Sequence, residues 1–347
     1  MIQTTFVSEV TAQLSRPFGL GGSDIAAALG LSPFRTPVQL WAEKLGKPGV
    51  VPAEGLALRV GQHLESFIAK EYETHTGQVC ALPTGIFQAP DEPHFYGHVD
   101  RLVLSEGEQT SQAGAPFTPS VILECKSAGS FTQHLWGERG SDQIPVSYLV
   151  QCVWYLWLTN ATRADVAVLI GNHEFRIYHV ARDEGLEAMV LKRVRRFWHE
   201  HILADMPPSV LCMADVPLLY PSDDGTTREA DAAMLEVLRQ LSDAQARAKL
   251  IDDEIDALRL RLVDYMGDCS HLAYQGKVLA TYRQSKPVSR FDQRAFDAAH
   301  PDLAKRFRYE SPGIRRFVVK APTRSLAQGG ASRAVSEVPQ KAQGAAA

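Results

Sequence analysis

Three carboxylates and one lysine carry the chemistry that this sequence can support. They lie in Gly61-Gln-His-Leu-Glu65, Gly97-His-Val-Asp100 and Ile122-Leu-Glu124-Cys-Lys126, with Gln151-Cys-Val-Trp-Tyr155 following. Side chains two apart on a strand share a face. Glu124 and Lys126 therefore project together, while Cys125 points away and offers only its backbone carbonyl. Mg²⁺ takes hard oxygen ligands in an octahedral shell and keeps some waters. Asp100, Glu124, the Cys125 carbonyl and a phosphate oxygen supply part of such a shell. Glu65 would complete it directly or through water. A cation held there lowers the pKa of a bound water and offsets charge on phosphorus. Lys126 would orient or deprotonate that water, or steady the developing negative charge; a nearby cation is a reason for it to lose its proton more easily. Glu-x-Lys alone is a common pair. The information lies in the order: a helical carboxylate, a hairpin bearing Asp100, Glu124 and Lys126, then a helix bearing Gln151.

Local patterns predict the elements that would position these groups. The Gly21-Gly-Ser-Asp24 turn opens a short helix over 25–29, and a second spans 38–45. Leu64, Phe67, Ile68 and Tyr72 share one side of a helix over 56–76 that stops at Gly77. The period then changes to strands at 85–88, 95–104 and 121–126, with a long hairpin loop over 105–120. An apolar helix over 147–159 carries Tyr148, Gln151 and Tyr155. Strands at 164–170 and 174–180 and a helix over 185–204 follow. The expected fold is α/β: a restriction-endonuclease-like core with a central mixed sheet flanked by helices, and a C-terminal helical and β-hairpin extension. The core spans 1–212 and a linker 213–227. The extension, 228–320, holds a long helix, a hairpin near Gln275-Gly276 and a basic segment over 283–320. The Ala-, Gly-, Ser- and Gln-rich stretch 321–347 reads as a disordered tail. Met234, Val237, Leu241, Ala244, Ala248, Ile251, Ile255, Leu258, Leu262 and Tyr265 trace a heptad seam, for packing on the core or for an oligomer or partner contact.

Bulk composition narrows the class. The net charge of −4 shows no overall basic excess, so any nucleic-acid contact must use a local basic groove. Five scattered cysteines (Cys80, Cys125, Cys152, Cys212 and Cys269) without C-x-x-C argue against a disulfide scaffold, a zinc site or an iron–sulfur cluster. No basic-then-apolar leader opens the chain. Its most apolar run, 149–158, is far shorter than the ~20 residues of a membrane span. A cytoplasmic protein without a membrane partner is expected.

The same residues resemble the YqaJ viral recombinase family of lambda-exonuclease-like enzymes, within the PD-(D/E)XK nuclease superfamily. Arg16 and Gly21-Gly-Ser23-Asp24-Ile-Ala-Ala-Ala-Leu-Gly-Leu-Ser-Pro33 are close to the family's opening motif. Trp41, Gly61–Glu65, Asp100, Glu124-Cys-Lys126 and Tyr148-Leu-Val-Gln151 follow in order. The likeness covers about residues 14–200 and continues loosely into Arg290-Phe-Asp and Arg315-Arg-Phe317. The resemblance implies Mg²⁺-dependent digestion of linear double-stranded DNA from the 5′ end, with Mn²⁺ as a substitute. Mononucleotides would be released and a 3′ strand left for phage-type recombination. It implies Glu65, Asp100 and Glu124 as metal ligands and Lys126 as the catalytic lysine. Gln151 would position water or phosphate, and Arg16 and Ser23 would bind the terminal 5′-phosphate. Tyr155 completes a Gln-x-x-x-Tyr pattern, or is a core tyrosine. It further implies a trimeric ring, a single-strand annealing protein as partner, and a phage or prophage origin in a bacterial host.

His63, two before Glu65, reads as a surface histidine or one behind the ligands, and His98 as a structural hydrogen-bonding residue. Two rival readings stand: a restriction- or resolvase-like endonuclease, which needs no end-phosphate pocket, and a catalytically silent DNA-binding assembly protein, which needs no gathered carboxylates.

Overall fold

The computed structural model describes residues 19–49, 55–83, 85–104, 119–311 and 313–319. Arg16, most of the hairpin loop 105–120 and the tail 321–347 lie outside the described residues. The chain divides into two compact units, 1–222 and 223–347.

The first unit is built on a five-stranded mixed sheet. Its strands are β1 (Val79–Ala81), β4 (Arg101–Leu104), β5 (Val121–Ala128), β6 (Arg163–Ile170) and β7 (Glu174–Ala181), side by side in that order. β5 and β6 run parallel, and every other pairing is antiparallel. A parallel pair needs a crossover, here made by helix α4 (Val146–Thr159). A separate ribbon pairs β2 (Phe87–Gln88) with β3 (Tyr96–Gly97). The expected central mixed sheet flanked by helices is therefore present. The strand expected over 95–104 is split: β3 serves the ribbon, β4 joins the main sheet, and His98–Asp100 form the break. β1, three residues long, was not anticipated.

The alternation of β5 and β6 separates two layers. Ile122, Ala164, Val166, Val168 and Ile170 face the larger core with Trp154, Tyr155 and Leu158 of α4. Leu123, Cys125 and Ala167 face the other side, against Ile68, Ala69 and Tyr72 of helix α3 (Leu56–Thr76). α4 is apolar almost all round because it is buried almost all round. It ends at Asn160 in the left-handed region (φ 59°). Helix α1 (Gly22–Ala28) buries three consecutive alanines, small enough for close approach to α4. Helix α2 (Pro37–Lys44) starts with a reciprocal cap: Thr36 Oγ1 accepts from Gln39 N–H at 3.1 Å, and Gln39 Oε1 from Thr36 N–H at 2.9 Å. Helix α5 (Glu184–Phe197) continues into one π-helical stretch, Trp198–Leu203.

The segment expected to be a linker is not uniformly loose. Asp215 is buried, accepts from Thr36 Oγ1 at 2.6 Å and from the Leu211 N–H at 2.8 Å, and leads into a helical turn, α6 (Val216–Leu219). A buried carboxylate needs such partners, so the chain stays packed to that point.

The second unit opens with α7 (Ala232–Met266), capped by Asp231, whose Oδ1 accepts from Met234 N–H at 2.8 Å. At 35 residues it is about 50 Å long. Its seam residues Val237, Ile251, Leu258 and Leu262 are exposed. A hairpin follows, β8 (His271–Tyr274) and β9 (Lys277–Thr281). Its turn places Gln275 and Gly276 at φ 49° and 78°, the positive values that a tight two-residue turn requires. Two short helices, α8 (Gln293–Ala299) and α9 (Pro301–Arg306), complete the regular structure. Among the described residues no helix is long and apolar enough to cross a membrane.

On the α3 face, Asp165 is fully buried at the start of β6. It accepts from Tyr72 Oη at 2.6 Å and contacts His179 Nδ1 at 2.7 Å. Tyr72→Phe removes one of these bonds without opening a cavity. The expected cost is about 1–2 kcal/mol, read as a lower midpoint in urea unfolding with an unchanged slope. An unchanged midpoint would show that Asp165 does not depend on this hydroxyl.

Candidate active site

Glu124 and Lys126 leave β5 on the α4 face, as the period-two pattern requires. β4 pairs Arg101 with Leu123, so Asp100, at the end of the break before β4, lies next to Glu124. Its Oδ2 accepts the Cys125 N–H at 2.7 Å. From α4, Gln151 donates Nε2–H to Glu124 Oε1 at 2.8 Å and accepts from Lys126 Nζ at 3.1 Å. Lys126 is ion-paired with that same Glu124 oxygen and lies 4.9 Å from the centre of the Tyr148 ring. Gln151 Nε2 also donates to Tyr155 Oη at 3.1 Å. One carboxylate, one amide and one ammonium thus close a triangle, with Tyr155 behind it.

Glu65 reaches the same cavity from α3, but its Oε1 is held at 2.6 Å by Arg101 Nη1. Arg101 had no place in the sequence reading. It follows Asp100 directly, so strand alternation turns it to the α3 face. A buried guanidinium there must find a carboxylate, and Glu65 is one turn before Ile68 on the helix that covers that face. The adjacency Asp100-Arg101 was the available signal.

The cavity has a volume of about 920 Å³ and extends to the Gly21-Gly-Ser-Asp24 turn. Ser23 is exposed on it. Asp24 is buried and held by Arg35 Nη2 at 2.5 Å, Lys44 Nζ at 2.7 Å and the Gly21 N–H at 3.0 Å. Burial alone would raise its pKa; Lys44 and Arg35 outweigh that and hold it below the usual carboxylate value. The turn is seated by close contact: a Cβ on Gly22 would stand 2.3 Å from Tyr155 Cε1, and one on Gly97 2.9 Å from Tyr155 Cδ1. Tyr155 is therefore clamped between two backbones, both a core residue and the group behind Gln151. His98 lines the cavity and His63 is exposed on α3. Arg16 lies outside the described residues.

Burial pushes the Asp100 pKa well up, and the negative charge of Glu124 adds to it. Glu124 is also raised by burial, against the opposing pull of Lys126. Burial would lower Lys126, yet Glu124 and Asp100 outweigh it, so its ammonium form is strengthened. Glu124 Oε2 is buried and has no hydrogen-bond partner, which such an atom normally has. Among the described residues no three His, Cys, Asp or Glu side chains stand close enough to hold a metal unaided. The donors are nonetheless of the hard-oxygen type that Mg²⁺ takes, and the bare Glu124 oxygen beside Asp100 fits a cation in kind; Arg101 occupies Glu65.

Residues 13–162 match the model of the YqaJ-like viral recombinase domain. The chain is 27% identical over 323 residues to the uncharacterized protein YqaJ of Bacillus subtilis (strain 168), covering 88% of this chain and 92% of that one. That likeness extends beyond residue 222, into the second unit. Among solved structures, an alkaline exonuclease from Laribacter hongkongensis is similar at 17% identity, over 56% of this chain and 91% of that one, with a TM-score of 0.41. A phage-related exonuclease from Haemophilus somnus is similar at 14% identity, over 56% and 100%, with a TM-score of 0.40.

The clamp on Tyr155 makes Gly22→Ala a costly change. Overpacking of this kind costs about 1–3 kcal/mol, so the thermal unfolding midpoint should fall. A variant as stable as the parent would show that Tyr155 is free to move away.

Proposed function

We propose that this chain, whose residues 13–162 match the YqaJ-like viral recombinase domain, is a Mg²⁺-dependent exonuclease. In this reading it digests linear double-stranded DNA from the 5′ end, releases mononucleotides and leaves a 3′ single strand for recombination. The observation that carries the proposal is the Glu124–Gln151–Lys126 triangle beside Asp100, in one cavity with the Ser23 turn. A structural ion pair would not require an uncompensated Glu124 oxygen.

Asp100, Glu124 and the Cys125 carbonyl would hold the cation, with Mn²⁺ as a substitute for Mg²⁺ and Glu65 joining directly or through water. When bound, that ion supplies an acidified water and offsets charge on the phosphate. The protein's own groups do the rest. Lys126 keeps its proton at Nζ while paired with Glu124, so its first task is to steady negative charge on the phosphate oxygens or to orient water. Acting as a base would require release from that pair. Gln151 fixes the relative positions of the Glu124 and Lys126 side chains. The hydroxyl of Tyr155, pushed far above its ordinary pKa by burial, stays protonated and fixes the Gln151 amide.

Ser23 and Arg16 are assigned to the terminal 5′-phosphate, for which the guanidinium fork is suited. Direction, a trimeric ring and a single-strand annealing partner belong to the same proposal, supported by the family likeness alone.

The decisive assay uses a linear 5′-phosphorylated duplex with Mg²⁺. Mononucleotides should appear, stop with chelator, and fall by at least ~10²-fold in Lys126→Ala. Covalently closed plasmid should remain intact. Nicking of the plasmid, or equal release by Lys126→Ala, would defeat the reading. Arg16→Ala should slow phosphorylated ends more than hydroxyl ends; equal slowing would remove the end-phosphate role.

A further inference from the structure

The second unit carries a surface that the nuclease reading does not use. Residues 271–319 contain ten Lys and Arg against four Asp and Glu, a net of +6 in a chain whose total is −4. Two of the four acids are engaged within the unit. Asp292 Oδ1 accepts from the Ala295 N–H at 2.9 Å as the cap of α8, and Asp297 is ion-paired with Arg308. The field this segment presents is therefore positive.

Five of its seven Phe and Tyr residues are equally unusual. Tyr282, Phe291, Phe307, Tyr309 and Phe317 are exposed at 58, 73, 76, 89 and 72%. Rings of this size normally bury most of their area. Each has an arginine beside it in the chain: Tyr282-Arg283, Arg290-Phe291, Arg306-Phe307-Arg308-Tyr309 and Arg316-Phe317. The Arg306 guanidinium lies 5.9 Å from the centre of the Phe307 ring, within cation–π range.

From this interleaving we infer that the second unit binds single-stranded DNA. Cationic side chains take phosphates, and exposed rings stack on base faces. A duplex offers the phosphates but hides the base faces, so charge alone would serve it and the rings would be idle. An unpaired strand uses both. The choice of DNA over RNA rests on the nuclease reading; the binding itself does not.

The test uses the full chain, chelator to prevent cleavage, and a fluorescent 5′-hydroxyl oligo(dT) of about 30 nucleotides, longer than one site of this kind. Phe307→Leu with Tyr309→Leu leaves every charge in place. It should lower affinity roughly tenfold or more, keep the salt dependence, and leave binding to covalently closed duplex unchanged. Arg290→Gln with Arg316→Gln should lower affinity and flatten the slope of log affinity against log salt by about 1.4, since each single-strand phosphate contact contributes about 0.7. Unchanged oligo(dT) affinity in the aromatic variant would overturn the inference. So would an equal loss on closed duplex. A parent chain that binds oligo(dT) but releases no mononucleotides from linear duplex with Mg²⁺ would fail the nuclease reading and leave this one standing.

Discussion

Placing Glu124 inside the protein is the constraint that organises the rest. A carboxylate in the middle of a sheet loses its hydration, at a penalty of several kcal/mol. Lys126 and Gln151 compensate one of its oxygens and leave the other bare. In the proposed reading, that second oxygen is where a cation would join. It also dictates the surroundings: α4 must lie close enough for Gln151 to reach β5, and Tyr155 must support Gln151 from behind. Gly22 and Gly97 must then lack side chains, so that two backbones can approach the tyrosine.

Much of this was legible in the sequence because it is local. The period-two pattern of β5 puts Glu124 and Lys126 on one face and Cys125 on the other, where it packs against α3. The four-residue spacing of Gln151 and Tyr155 puts both on one side of α4. What the sequence hid is nonlocal. β1 is too short to show a period. The break at His98–Asp100 arises because β3 and β4 serve different partners. The pairing of Arg101 with Glu65 depends on how α3 crosses the sheet, and the grip of Arg35 and Lys44 on Asp24 depends on how α1 meets α2. The packing of Asp215 against Thr36, inside a segment whose composition suggested a loose connector, is a contact between residues 179 apart.

The near-neutral total charge conceals a division of labour in electrostatics. Carboxylates gather in the cavity of the first unit, where burial and the charge of Glu124 raise the proton affinity of Asp100. Cations gather in the C-terminal part of the second unit. Local fields and not the sum therefore govern which groups could meet phosphate.

The ring held between Gly22 and Gly97 has an evolutionary corollary. Three stretches far apart in sequence meet at the thickness of one phenol, leaving no slack to absorb drift in any of them. A side chain at position 22 should therefore be inherited only with a smaller ring at position 155, whereas position 97 is also closed by Leu158.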